Sequence, residues 1–556
     1  MQGLARLDRE LWDAEGVVGE LVPAGSVFAF LAAHRRELFD DSFTADLFLS
    51  STGRPSLPAD LVGSVLVLKE LYALSDRQTA EAVMFDLRWK VACGLAVTAG
   101  AFDPTTLVYW RKRIAKSERP DRVFDKVAEV IAETGILTGR RKRCVDSTVF
   151  DDAVATQDTV TQLVAAIRKV ARTVPEAGQV IDRVCALDYT RAGKPDIDWD
   201  DPAAKADLVS RLVTDALAVL AALCGPQAPE RADAAADALG LLALVAGQDV
   251  EPAEGSDGTD GRWRIARKVA PDRVISLVDP QARHTRKSRS QRRDGYRAHL
   301  VAEPDTGLIT DCELTMATGQ DNTDAAMGVT LANRDRFHPP TADTQPVAST
   351  EPAADSDAGH DDGPSDDGPS GDGLEVYGDS AYGSGQARAD YAAAGHDTVI
   401  KPKPSNPAVP GGFTMDDFVI DDDAGTVTCP GGHTRTMSPA RRVIFGQVCA
   451  DCPLRARCTT AKDGRSMSIH EYEALLRAAR AQGRTPEFQA AYPTRASVER
   501  TVAHVATQNG RRVKLRYLGV DKNDAWLHTR AAALNLRTLL RHGLTRIGGA
   551  WTLAPV

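Results

Sequence analysis

Two strand-forming runs, residues 295–303 and 307–315, face each other across Pro304-Asp305-Thr306-Gly307. Apolar runs on either side of an Asp-x-Gly turn predict a β-hairpin. A chain committed to that hairpin has to fold around a sheet. Shorter strand patterns cover 141–145, 274–278, 398–401 and the residues leading to Asp379. Between and after them, 161–174, 206–224, 322–334 and 386–394 carry apolar positions every three to four residues, the helical period. The expected class is α/β.

Residues 20–117 read as helices separated by turns. Residues 58–74 are apolar at helical spacing, and Ser75-Asp76 then caps a second helix over 77–85. Phe102-Asp-Pro-Thr-Thr starts a third, which runs into the basic and aromatic Tyr109-Trp-Arg-Lys-Arg-Ile. A helix-turn-helix-like unit meeting DNA and a helical dimerisation bundle both fit this pattern.

At 556 residues the chain is too long for one simple core, so three to five domains or subdomains are expected. Its 43% hydrophobic and 26% charged residues are ordinary for a globular protein. The N-terminus is acidic and mixed, without the apolar segment of a signal peptide. Apolar runs such as 217–224 are too short to span a bilayer. A soluble, intracellular protein is expected. The net charge of −10 is concentrated: residues 338–375 hold ten acidic residues and no Lys or Arg, so the remainder is neutral. The Asp-, Gly-, Pro- and Ser-rich residues 338–373 cannot bury enough surface to offset their ordering entropy and are expected to be a disordered linker.

Three acidic residues are set apart by their surroundings. Asp146 follows Arg-Lys-Arg-Cys-Val and opens Asp-Ser-Thr; Asp379 lies in Tyr377-Gly-Asp-Ser-Ala-Tyr; Glu499 closes Tyr492-x2-Arg495-x3-Glu499 on a helical pattern. Two carboxylates at strand ends and one on a helix can converge on a pair of divalent metals, the arrangement used for in-line attack on phosphate. Tyr492 and Arg495 precede Glu499 by seven and four residues, which puts them on one helical face. Arg495 suits a phosphate near the metals and Tyr492 the positioning of DNA. Ordinary packing and an intrahelical ion pair are the plain alternative. His504, a turn beyond Glu499, reads as a surface or DNA-facing residue.

Basic residues cluster around these positions. Residues 283–297 contain seven Lys/Arg, Arg297 among them. Residues 500–541 contain nine against two Asp, including Arg500, Arg511, Arg512 and Lys514. With Lys401, these are the candidate contacts to a phosphate backbone; a solvated basic surface is the alternative. A cysteine group follows a different logic. Cys429-Pro-Gly-Gly-His433 and Cys449-Ala-Asp-Cys452-Pro-Leu-Arg-Ala-Arg-Cys458 match a tetrahedral Cys₄ zinc site, with His433 as a substitute ligand. A reducing cell disfavours disulfides, and the Pro/Gly-rich setting lacks the βαβ context of a redox motif.

The order of these features is that of an RNase H-like fold: strand with Asp, hairpin, helix, strand with a second Asp, late helix with Glu. The chain resembles bacterial insertion-sequence DDE transposases in its Asp146-Ser-Thr, Tyr377-Gly-Asp-Ser-Ala-Tyr and Tyr492-x2-Arg495-x3-Glu499 blocks. Asp279-Pro-Gln-Ala-Arg, Gly295-Tyr-Arg-Ala-His, Asn535-Leu-Arg and the 53–116 region add to the likeness. The resemblance implies Asp146, Asp379 and Glu499 as catalytic residues holding two Mg²⁺ (or Mn²⁺), beside a structural Zn²⁺. It implies double-stranded DNA as partner, both the element's terminal inverted repeats and its target. It also implies a homodimer or higher assembly on DNA, in the bacterial cytoplasm at the nucleoid. The expected organisation is an N-terminal helical domain (1–125), a first core segment (140–156) and a helical insertion (157–268). A core hairpin and helix (269–337), the acidic linker (338–373) and the segment with Asp379 (374–404) come next. A zinc insertion (405–485) and the Glu helix with basic C-terminal helices (486–556) complete it. One position departs from the family: seven residues past the Glu, where a Lys or Arg is frequent, stands Ala506, with Arg500, Arg511 or Lys514 as replacements. A nuclease without joining activity and an inactive, host-adopted DNA-binding relic or regulator are the other readings.

Overall fold

The computed structural model describes residues 1–4, 12–48, 50, 52–225, 230–286, 292–338 and 373–554. The acidic linker read over 338–373 therefore lies almost wholly outside the described residues, as do 287–291 of the basic cluster.

Helices α1 (Val27–Leu38), α2 (Ala59–Leu71), α3 (Asp76–Phe85), α4 (Thr105–Ala115) and α5 (Arg122–Thr134) open the chain. The Ser75 cap is realised as a reciprocal capping box with Gln78. All thirteen residues of α2 are buried, so α2 is the inner helix of this group. Helices α6 (Thr159–Thr173), α7 (Pro202–Leu223) and α8 (Asp233–Gln248) pack on one another around Leu163, Ile167, Leu212, Val219 and Leu242. Then come α9 (Asp324–Asn333), α10 (Gly385–Ala393), α11 (Ala496–Ala506) and α12 (Val520–Arg541). Among the described residues no helix is long and apolar enough to cross a membrane.

The main sheet is mixed. It contains β1 (Lys142–Asp151), β2 (Arg283–Arg286), β3 (Arg292–Ala302), β4 (Ile309–Met316), β5 (Glu375–Gly378) and β6 (Asp397–Ile400). The order is β2-β3-β1-β5-β6, with β4 continuing beyond β2 along the same edge of β3. β3 runs antiparallel to β1, β2 and β4, whereas β1, β5 and β6 are parallel to one another. The hairpin read at 304–307 joins β3 to β4, closed by Gly307 N–H on the Glu303 carbonyl at 2.9 Å. Gly295 lets β3 cross close to β1, since a Cβ there would stand 2.0 Å from the Phe150 oxygen.

One sheet face carries Phe150, Tyr296, Ala298 and Leu300 into a core shared with α2, α5, α11 and α12. The other face carries Val145 and Val301 against Met327, Leu331, Tyr382 and Tyr391. α12 packs on β4, α2 and α5. It is tied to β4 by the Asn535 side chain, which accepts from Ile309 N–H at 2.8 Å and donates to the Ile309 carbonyl at 2.7 Å.

Two strand expectations are corrected. Asp146 lies in the middle of β1, not at its end, because pairing with β3 carries the strand on to Asp151. Residues 274–278 form no strand. Val274, Ile275 and Leu277 are buried while Val278 is exposed, and glutamine side chains take the place of a ladder: Gln248 accepts from Val274 N–H at 3.0 Å and Gln157 from Leu277 N–H at 2.9 Å. The cysteine-rich stretch folds into a three-stranded sheet (Val419–Asp421, Thr426–Thr428, Thr434–Thr436) and a strand pair (Arg442–Ile444, Ser466–Ser468). Phe418, Val427, Val443 and Phe445 form the small core there, with Cys449 and Cys458.

Candidate active site

β5 pairs with β1 only over Lys142–Cys144, so the edge of β1 is open from Val145 onward. Asp146 occupies that open stretch. Asp379 follows β5 directly and caps a turn, accepting from Ala381 N–H at 2.8 Å. α11 lies against β1, held by buried Val498, Val502, Val505 and Ala506. That anchoring turns Glu499, Arg500 and His504 outward.

The three carboxylates meet at Arg495. Its guanidinium stands 2.8 Å from Glu499 Oε1, 3.6 Å from Asp146 Oδ1 and 3.9 Å from Asp379 Oδ2. Asp146 is inside, with a side chain 18% exposed, whereas those of Asp379 and Glu499 are 43% and 59% exposed. Burial pushes the Asp146 carboxyl above its usual pKa, and the charges of Asp379 and Glu499 add to this. The Ser147 N–H and Arg495 work against the rise. Burial also works to lower the Arg495 pKa, but the surrounding carboxylates and Tyr492 outweigh it, and the guanidinium is held firmly charged.

Tyr492 stands in a 3₁₀ turn, Tyr492–Arg495, ahead of α11 and not within one continuous helix. The single continuous helix expected for Tyr492, Arg495 and Glu499 is therefore broken into a 3₁₀ turn and α11, while the Tyr492 side chain still faces Arg495. Pro493 accounts for the break, since it cannot donate within a longer helix. Tyr492 stacks on Phe488, ring centres 5.4 Å apart and planes at 13°.

Basic residues flank this group unevenly. Past α11, a short hairpin pairs Thr507–Gln508 with Arg511–Arg512 and seats on β1 through Leu515 N–H to the Asp151 carbonyl at 3.0 Å. A groove of about 570 Å³ beside it is lined by Gln508, Arg511, Arg512, Lys514 and Arg516. Sequence reasoning passed over Arg516. The signal was the alternation Arg512-Val-Lys514-Leu-Arg516, which turns Leu515 into the core and the charges out. Arg500 is exposed beside Glu499, and Lys401 N–H bonds the Gly378 carbonyl at 3.3 Å, next to Asp379. Arg297 is not brought to the group. It sits on the opposite face of β3, 3.3 Å from Asp324.

Cys429, Cys449, Cys452, Cys458 and His433 line a small cavity of about 20 Å³. Arg465 N–H points at Cys449 Sγ at 3.5 Å. Burial raises the Cys458 thiol pKa, and Cys449, Cys429 and Cys452 add to the rise. Among the described residues no three His, Cys, Asp or Glu side chains stand in a group set to hold a metal ion, here or at the carboxylates.

Residues 428–540 match the family model of the transposase DDE domain, and residues 18–113 match that of a transposase domain (DUF772). The likeness to insertion-sequence DDE transposases is borne out by these two matches. Glu499, Arg495, Tyr492 and the four clustered cysteines fall inside the first; Asp146 and Asp379 stand outside both. No curated protein and no solved structure matches the chain.

Proposed function

We infer that this protein is a DDE transposase that cuts DNA at its element's ends and joins those ends to target DNA, with Asp146, Asp379 and Glu499 as the catalytic group. The observation that carries the reading is the convergence of three carboxylates, from β1, the β5 turn and α11, on one guanidinium. The strand order, antiparallel on one side of β1 and parallel on the other, supports an RNase H-like core. In that reading the amino-terminal helices join in DNA binding.

The donor set fits divalent cations. Three hard carboxylates suit Mg²⁺ or Mn²⁺, and a shared cation partner relieves the mutual repulsion that Arg495 relieves here. Bound there, the ions supply Lewis-acid and nucleophile-activating chemistry. The chain's own residues do the rest. Arg495, once the carboxylates have another cation, is placed to hold a phosphate oxygen with a planar, bidentate donor. Tyr492, fixed by Phe488, borders the same space. Arg511, Arg512, Lys514 and Arg516 offer a charged track for the backbone leading to it. The four thiols would hold Zn²⁺ as a structural ion: thiolates are soft donors, and all four border one small cavity.

The test is a Mg²⁺ or Mn²⁺ reaction of the purified protein with labelled DNA carrying the gene's flanking ends, beside Glu499→Gln. Nicked and joined products from the wild type alone are expected, with DNA binding retained in the variant. Nicks that never mature into joined products would indicate a nuclease. Binding with neither product would indicate a relic or regulator.

A further inference from the structure

Arg530, on α12, is fully buried. Its four hydrogen bonds all go to main-chain carbonyls. Nε donates to Val505 O at 2.6 Å, and the terminal nitrogens reach His504 O at 3.2 Å and Thr507 O at 2.9 Å. The remaining bond, at 2.6 Å, goes to Glu70 O. The first three carbonyls end α11, the helix that carries Glu499. The fourth ends α2, the fully buried inner helix of the amino-terminal group. Helix C-termini leave carbonyls without intrahelical partners and carry partial negative charge, so one guanidinium here satisfies two helix ends together. Burial lowers the Arg530 pKa to about 10, which leaves it charged at neutral pH.

The geometry of these contacts goes further. α2 lies within residues 18–113, and α11 and Arg530 within 428–540, so Arg530 is a direct polar link between the two matched regions. Lys69 extends the junction: its ammonium reaches the Tyr517 hydroxyl at 3.2 Å, in the segment leading from the basic hairpin to α12. α2 is thereby joined to the C-terminal end of α11, less than two turns from Glu499.

We propose that Arg530 is a positioning residue for Glu499, coupling engagement of DNA by the amino-terminal helices to assembly of the three-carboxylate group. This rests on the transposase reading. A lysine keeps the charge but not the fork, and three donors on a single nitrogen cannot meet all four carbonyls in this geometry.

Arg530→Lys and Arg530→Ala are compared with wild type for end-DNA affinity, single-turnover cleavage, melting temperature and hydrogen exchange along α11. For Arg530→Lys, affinity is expected to stay within about threefold while the cleavage rate falls on the order of tenfold or more. Faster exchange is expected over 500–507 with the β1 and β3 amides unchanged. Added guanidinium should restore part of the Arg530→Ala rate at concentrations too low to move its melting temperature. A lysine variant with wild-type rate and wild-type α11 exchange overturns the proposal. So does a loss of affinity, rate and sheet protection in parallel, which marks a purely structural role. If the wild type itself fails to cleave, the transposase reading fails separately, and α11 exchange still decides whether Arg530 fixes that helix.

Discussion

At the scale of single residues, the molecule places negative charge where burial opposes it. Asp146 is held above its ordinary pKa by burial and by two neighbouring carboxylates, a configuration that suits cation binding and costs stability. Asp146→Asn is expected to stabilise the metal-free protein by about 0.5–2 kcal/mol in urea melts while abolishing cleavage. Asp152 is a second case outside that group. It is 3% exposed, its Oδ2 has no hydrogen-bond partner, and burial followed by Asp294 pushes its pKa up to about 6. The folded chain thus holds this proton more tightly than the unfolded one, and its contribution to stability falls as pH rises from about 3.8 to about 6. Asp152→Asn should flatten that fall and raise the melting temperature at pH 7. An unchanged pH profile would contradict the assignment.

At the scale of elements, the sequence was most legible where periodicity and turn chemistry agree. The β3–β4 hairpin, the capped α3, the α9 helix and the strand before Asp379 all follow from local pattern. Local pattern failed where the partner of a backbone group is remote. Residues 274–278 look like a strand because they are apolar and β-branched, yet their N–H groups are met by Gln248 and Gln157, far away in sequence. Gln248→Leu should therefore cost about 1–3 kcal/mol by stranding the buried Val274 N–H, measured as a lowered urea midpoint. Asp146 could be read as a ligand candidate from its motif, but not its place along β1, because the strand's length is set by pairing with β3. The triple pairing of Arg495 was equally hidden, since only the i,i+4 contact to Glu499 has a sequence signature.

At the scale of the whole molecule, elements distant in sequence are arranged around one open edge of β1. The cysteine-rich segment is pinned close to the Asp379 turn: the Tyr472 hydroxyl donates to Gln386 Oε1 at 2.6 Å, at the start of α10. Cys452→Ser is expected to lower bound zinc by elemental analysis and melting temperature together, with a weaker loss of cleavage. In the proposed function, Asp146, Asp379 and Glu499 hold one divalent-metal centre. The most direct test is Asp379→Cys assayed on end DNA in Mg²⁺ and in Mn²⁺. A thiolate is a poor ligand for hard Mg²⁺ and a better one for the softer Mn²⁺. Wild-type cleavage is expected in both ions, and for the variant silence in Mg²⁺ with activity regained in Mn²⁺. Equal cleavage by the variant in both ions would contradict it.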